Sequence, residues 1–314
     1  MKNLINIFEN ITNPGKKRWI AAVGVFDGVH PGHRAIINAA RRRADECGAG
    51  VLALTFIPHP RKLLDEKNAP PLLVSEAKRV ELLLEAGADC CGYIDFTPGS
   101  AALEPLDFLA ALRDNGIFEL AGICVGENWR FGRMGRGNKE VLAGFCAANN
   151  WSLDTVKELE LDGVTISSTA IRQALSAGDL DYASRLWGVP VELTGIVERG
   201  FQIAGSKLSA PTANLKTDYL LPLPFGVYSG KTDVDGKTYT AVLNIGVAPT
   251  FGHDLCRVEM HLLDFSGDLY GRNLTVRLSK FIRKERKFSS PEELKTQIAA
   301  DIKAARENQP LQNI

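Results

Sequence analysis

An α/β domain with a doubly wound parallel sheet, followed by a compact antiparallel β-barrel with one terminal helix, is the architecture this sequence predicts. Three observations carry that expectation. Short apolar runs alternate with helix-period segments from Trp19 to Trp187, which is how parallel strands joined by crossover helices read. Beyond Gly188 and Pro190 the pattern changes to short β-like segments separated by turns. The helical period returns only at Ser290-Pro291-Glu292-Glu293, a capping box with proline at the first helical position. A first domain over 1–187 and a second over 188–314 follow.

The first strand–turn–helix unit is the richest in chemistry. An apolar run, Trp19 to Val23, leads into Gly24-Val25-Phe26-Asp27-Gly28-Val29-His30-Pro31-Gly32-His33, and helix-period residues follow from Arg34. The first N–H groups of a helix have no partner within it and attract phosphate. Pro31 suits the first turn because its missing N–H costs nothing there, and Gly32 admits close approach to the backbone. His30 and His33 lie three apart, so within one turn they share a face and can meet the same phosphate. Without that preceding glycine turn, the pair would read as surface or capping histidines.

The next apolar run, Val51 to Ile57, ends at Pro58-His59-Pro60, where a strand cannot continue. His59 is thereby placed at the carboxyl end of a sheet strand, the ligand-binding end of open α/β sheets. Ser75 to Ala86 reads as a helix, Cys90 to Phe96 as a strand, and Pro105 to Asn115 as a helix stopped by Gly116. Strand Leu120 to Val125 then enters Gly126 to Asn138, a loop with four glycines, three arginines (Arg130, Arg133, Arg136) and the aromatics Trp129 and Phe131. That composition suits base stacking and phosphate neutralisation; a solvated basic loop would look the same. Asn138 is positioned to cap a helix over Lys139 to Ala148. Strand Ser152 to Glu158 precedes Ile166-Ser167-Ser168-Thr169-Ala170-Ile171-Arg172, where Ser167 or Ser168 can cap a helix bearing Arg172 in its first turn.

Composition bounds the partners. At 314 residues, 45% apolar and 24% charged, the chain can bury two ordinary globular cores. Lys+Arg and Asp+Glu are both 37, so there is no basic excess for a broad nucleic-acid footprint. No apolar run approaches the length of a membrane span, and Met1 to Trp19 lacks a signal peptide's apolar core. The expectation is a cytoplasmic protein acting on small molecules, with self-association left open. Six cysteines without CxxC spacing read as reduced core residues.

Four of these pieces, in this order, resemble the prokaryotic bifunctional riboflavin kinase/FMN adenylyltransferase family, the FAD synthetases. They are Gly24 to His33, Thr55-Phe56-Ile57-Pro58-His59-Pro60, Val125-Gly126-Glu127-Asn128-Trp129-Arg130-Phe131-Gly132 and Ile166 to Arg172. The resemblance implies a Rossmann-like nucleotidyltransferase domain that adenylylates FMN with ATP, giving FAD and pyrophosphate. By it, His30 and His33 contact the ATP phosphates, Asn128 helps hold the nucleotide or flavin, and Arg172 stabilises the pyrophosphate leaving group. Gly24, Phe26, Asp27, Gly32, His59, Arg130, Ser167, Ser168 and Thr169 complete the expected binding residues. No nucleophile is needed, because positioning and charge stabilisation carry such a transfer. His-x-Gly-His also resembles class I aminoacyl-tRNA synthetases, but no anticodon-binding module is recognisable.

In the second half, Asp235-Gly236 between Ser229-to-Val234 and Lys237-to-Val242 predicts a hairpin, and a helix over about Pro291 to Arg306 closes the barrel. Ala210-Pro211-Thr212-Ala213-Asn214-Leu215 resembles the family's kinase signature, in which Thr212 and Asn214 would bind Mg²⁺ carried with ATP. Val258-Glu259-Met260-His261-Leu262-Leu263-Asp264-Phe265 and Ile282 to Phe288 match as well. Glu259 would be the general base toward the riboflavin 5′-hydroxyl, and Arg283 a binding residue. By alternation alone Glu259 is the outward residue of a strand. The family's Gly-Arg-x-Leu-Gly-Phe is here Gly205-Ser206-Lys207-Leu208-Ser209-Ala210, and its Arg-Pro-Tyr junction is Val189-Pro190-Val191. Ser206 removes a bidentate phosphate donor, Ser209 restricts backbone approach, and Lys207 supplies charge. An FAD synthetase whose kinase half is only a flavin scaffold is therefore the alternative reading, and a non-catalytic flavin-binding regulator the third.

Overall fold

The computed structural model describes residues 4–8, 17–198, 213–217, 219, 221–250 and 253–307, without the side chains of 247–250 and 253–256. Contacts divide the chain into two units, Met1–Pro70 with Val74–Ser167 and Pro71–Leu73 with Ser168–Ile314.

In the first unit the elements run β1 (Ile5–Ile7), β2 (Arg18–Val23), α1 (Pro31–Cys47), β3 (Gly50–Ile57), α2 (Pro60–Leu64), α3 (Glu76–Glu85), β4 (Cys90–Asp95), α4 (Pro98–Ala101), α5 (Pro105–Arg113), β5 (Glu119–Gly126), α6 (Lys139–Ala148), β6 (Ser152–Val156), β7 (Glu160–Leu161) and β8 (Val164–Thr165). The main sheet has the order β1-β4-β3-β2-β5-β6. All its pairings are parallel except β1 with β4. Strands β2 and β3 bury nearly every residue, because helices cover both faces of a parallel sheet. The chain goes from β2 to β3 on one side and returns to place β5 on the other. Such a reversal opens a crevice at the carboxyl ends of the central strands, so the segments after β2 and β5 border it.

Local chemistry sets the helix ends. Ser75 Oγ accepts from the Lys78 N–H at 3.2 Å, Asn138 Oδ1 accepts from the Val141 N–H at 3.0 Å, and Gly48 closes α1 at φ 65°. Strand β1 was not expected, since three residues are too few to show a period. It caps the sheet edge with a fully buried Ile5. The described cysteines inside the core, Cys90, Cys91, Cys124 and Cys146, are free thiols, each pushed above its usual pKa by burial, Cys91 and Cys124 to about 12.

The second unit holds α7 (Ser168–Ala177), α8 (Leu180–Trp187), β9 (Glu192–Glu198), β10 (Ala213–Lys216), β11 (Gly226–Val234), β12 (Lys237–Thr250), β13 (His253–Leu262), β14 (Asn273–Lys284) and α9 (Pro291–Glu307). Six strands close a barrel in the order β10-β13-β12-β11-β14-β9, with every pairing antiparallel. The β11–β12 turn places Asp235 at φ 50° and Gly236 at φ 78°, the left-handed pair that a two-residue hairpin requires. Leu215, Val258, Leu243, Ile245 and Tyr228 fill the interior. Helices α7 and α8 pack on each other, and α8 on β14. Contacts thus group with the barrel two helices that the sequence pattern assigns to the first domain. The α9 cap is offset from the expected box. Ser290 Oγ accepts from the Glu293 N–H at 3.2 Å, but the Glu293 carboxylate accepts from the Ser289 N–H at 2.9 Å rather than from Ser290's own.

Candidate active sites

The turn between β2 and α1 is strained. Phe26, Gly28 and Val29 have φ of 53°, 82° and 42°, and for a β-branched valine that value is an outlier. Surrounding contacts hold it there. Gly24 lies so close beneath Phe26 that a Cβ would stand 2.9 Å from the ring. Thr55 Oγ1 donates to the Val25 carbonyl at 2.8 Å. The turn delivers His30 as the residue preceding α1, with Pro31 at the first helical position.

His30 and His33 then stack, ring centroids 3.6 Å apart and planes 23° apart, while Phe26 meets His33 edge-on at 5.3 Å. A Cβ at Gly32 would stand 3.2 Å from His30 Cε1, which explains glycine between the histidines. Burial, then the positive charges possible at His30 and present at Arg79, hold the His33 pKa well below 6.5. His33 is therefore a neutral imidazole near pH 7, able to donate one N–H beside the N–H groups that open α1.

Residues after β3 and β5 follow the same carboxyl ends of the sheet. His59 precedes α2 and accepts the Arg61 N–H on Nδ1 at 3.2 Å, which leaves the ring proton on Nε2. In the glycine-rich loop, Trp129 stacks on Phe131 at 4.7 Å, and Phe131 is buried against Phe108. These aromatics serve packing at least in part. Arg133 and Arg136 turn toward Glu104 at 3.3 and 3.8 Å. Asn128 and Arg130 are exposed. Asp27 and Phe26 are buried, so their side chains shape the turn from below. Ser167 ends this unit, half-buried.

Ser168, Thr169 and Arg172 belong to the second unit. Because α7 starts at Ser168, Arg172 stands beyond the first turn, whereas the sequence pattern predicts it inside that turn. Its Nε donates to the Pro71 carbonyl at 2.7 Å.

On the barrel, register assembles a row from separate strands. Asn214 lies directly opposite Glu259, Glu259 opposite Asn244, Asn244 opposite Val227, and Val227 opposite Arg283. Directly paired residues share a face. Their chain neighbours Leu215, Val258 and Ile245 point inward and are buried, so Glu259 faces outward, as alternation predicts. That outer face is not simply solvated. A cavity of about 270 Å³ lies over it, bounded by Asn244, Glu259 and Arg283 of the barrel and by Leu294, Ile298 and Asp301 of α9.

Charged partners tie the cavity walls together. Arg283 Nη2 and Nε donate to the Asp301 carboxylate at 2.8 and 2.9 Å, and Gln297 Nε2 donates to Asp301 Oδ1 at 2.8 Å. The Arg286 guanidinium sits 4.7 Å from the Phe288 ring centroid, and that of Arg283 sits 5.6 Å away. Arg257 Nη1 lies 3.3 Å from Glu259 Oε1. Thr212 and Lys207, with Ser206 and Ser209, lie outside the described residues. The side-chain oxygen of Asn214 beside Glu259 suits a hard cation that arrives with nucleotide phosphate. Among the described residues no group of three or more His, Cys, Asp or Glu could hold a metal alone.

Sequence reasoning missed Arg79, Arg257, Gln297 and Asp301. Two of these had a local signal: Arg79 shares the buried face of α3 with Leu82 and Leu83, and Asp301 shares the cavity-lining face of α9 with Leu294 and Ile298.

Comparison with known proteins gives a consistent picture. Residues 13–170 match the family model described as FAD synthetase, and residues 187–309 the one described as riboflavin kinase. A bifunctional riboflavin kinase/FMN adenylyltransferase of Pseudomonas fluorescens is 36% identical over 93% of this chain and 94% of its own length. The protein of that description from Escherichia coli K12 is 33% identical over 97% of both. A crystal structure of a macrolide-efflux protein from Streptococcus pneumoniae matches with TM-score 0.82 and 27% identity, over 98% of both chains. No described helix here is long and apolar enough to cross a membrane.

Proposed function

The chain belongs to the bifunctional riboflavin kinase/FMN adenylyltransferase family, and from that premise we propose how its residues divide the two reactions. The enzyme phosphorylates riboflavin with ATP to FMN, and adenylylates FMN with a second ATP to FAD and pyrophosphate. The observation that carries the division is that the chain holds two separately built sites, a stacked histidine pair opening α1 and an Asn–Glu–Asn row beside a cavity.

For adenylyl transfer, an FMN phosphate oxygen attacks the α-phosphorus of ATP and pyrophosphate leaves. His30, His33 and the first N–H groups of α1 stabilise charge on the phosphates, acting as preorganised dipoles. Gly24 and Gly32 keep the backbone close enough, while Phe26 and Asp27 hold the turn. Asn128, Arg130, His59 and Ser167 orient nucleotide or flavin at the strand ends. The family resemblance assigns Arg172 to the leaving pyrophosphate, with Ser168 and Thr169 as phosphate donors.

For phosphoryl transfer, Glu259 accepts the proton of the riboflavin 5′-hydroxyl as its oxygen attacks the γ-phosphorus of ATP and ADP departs. The apolar residues Leu294 and Ile298 suit the flavin ring, and Arg283, held by Asp301, supplies a fixed polar edge. Asn214 with Thr212 would hold Mg²⁺, which supplies charge neutralisation between the nucleotide phosphates. Lys207 adds charge next to Ser206, which stands where the family carries arginine. Cytoplasmic residence belongs to the same proposal, supported by the free buried thiols.

A chromatographic time course with ATP and Mg²⁺, started from riboflavin and separately from FMN, tests it. FMN followed by FAD from the first, and FAD from the second, is the expected result. FAD from FMN alone would restrict catalysis to adenylyl transfer and make the barrel a scaffold; folded protein yielding neither product would refute the proposal.

A further inference from the structure

Arg79 is an arginine where packing alone would favour leucine. It lies on the inner face of α3 between Ser75 and Leu82, and only 2% of it is exposed. Burying a guanidinium carries a desolvation penalty that only its hydrogen bonds and charged neighbours can offset. What it binds is backbone. Nη1 donates to the Val25 carbonyl at 3.1 Å and approaches Thr55 Oγ1 at 3.4 Å, while Thr55 itself donates to that same carbonyl at 2.8 Å. Its Nε is buried with no hydrogen-bond partner among the described residues. Val25 is the residue immediately before the left-handed Phe26. A turn in so strained a conformation persists only when its surroundings over-determine it, and Arg79 with Thr55 anchors its first carbonyl.

We propose that Arg79 is a positioning residue for adenylyl transfer: by holding the Val25 carbonyl from below, it fixes the strained turn that stacks His30 on His33 at the start of α1. The inference rests on the adenylyltransferase reading above. Arg79 is too buried to touch substrate, so it acts through the turn. It acts electrostatically as well. The groups that bear on His33 are His30 and Arg79, and those that bear on Arg79 are Asp27, itself 1% exposed, and Glu76. A permanent cation beside His33 disfavours the imidazolium, and so favours the neutral ring.

The test compares full-length Arg79→Lys and Arg79→Met with the wild type in both reactions, following kcat, KM and the pH profile of FMN adenylylation. In Arg79→Met, adenylylation should fall by about tenfold to a hundredfold, the scale set by small misplacements of reacting groups. Riboflavin phosphorylation should stay within about twofold, since its residues lie in the other unit. The acid limb of the adenylylation profile should move to higher pH, because one cause of the low His33 pKa has gone. Arg79→Lys keeps the charge but loses the planar fork, so it should lose rate while the acid limb stays in place. Unchanged adenylylation kcat in Arg79→Lys overturns the proposal, as does an equal loss of both reactions in either variant. Should Arg79→Met fail to fold, Arg79→Lys decides alone. A wild-type chain that makes no FAD from FMN would instead refute the reading on which the inference rests.

Discussion

His33 is the residue in which burial, stacking and charge converge, and its behaviour is measurable in two ways. His33→Ala should lower FAD formation by about 10²–10³-fold, as removal of one preorganised donor does, while riboflavin phosphorylation proceeds unchanged; assaying both reactions on one preparation checks this. The second measurement is stability against pH. The folded pKa of His33 lies below its ordinary 6.5, so below that pH the unfolded chain binds the extra proton more readily. The contribution of a neutral His33 is therefore complete above 6.5 and is lost as pH falls toward the folded value. Melting the wild type and His33→Asn between about pH 7 and pH 5 should show a larger fall in Tm for the wild type.

At the scale of the element, the glycine-rich loop and the terminal helix are each held by one feature. Gly132 has φ 67°, and a Cβ there would stand 2.8 Å from Pro105 Cα. Both the conformation and the space exclude a side chain, so Gly132→Ala should destabilise the first unit by about 1–3 kcal/mol, read from thermal unfolding. In α9, Asp301 is 4% exposed and carries the Arg283 and Gln297 hydrogen bonds. Asp301→Ala leaves a half-buried guanidinium unpaired, a change worth about 3–5 kcal/mol when the charge cannot reach water and less here by as much as Arg283 does. The riboflavin KM should rise and FMN adenylylation should not respond, a split that steady-state kinetics on both substrates would reveal. The caps of α3 and α6 were legible from Ser75 and Asn138 because a cap acts within one turn. Strand β1 was not, since its only support is the pairing of Ile5–Ile7 with β4.

For the whole molecule, Glu259→Gln and His33→Ala should behave as opposites. The first should slow riboflavin phosphorylation by about 10²–10⁴-fold, the usual contribution of a general base, and leave FMN adenylylation intact. Equal loss of both activities in either variant would contradict two independent sites. The sequence by itself determined the fold class, the β-barrel hairpin at Asp235-Gly236, the histidine pair at a helix start and the membership of a flavin-nucleotide family. All of these rest on residues close together in the chain, where glycine, proline, capping and period act locally. Only the tertiary structure decided that Arg79 lies beneath the Val25 carbonyl, that Asp301 holds Arg283, and that Asn214, Glu259 and Asn244 stand in one row, with α9 bounding the cavity beside Glu259 and Asn244. It likewise grouped α7 and α8 with the barrel. Those relations depend on register and packing between distant segments, and a buried charge or an outward strand residue has the same local pattern whatever comes to cover it.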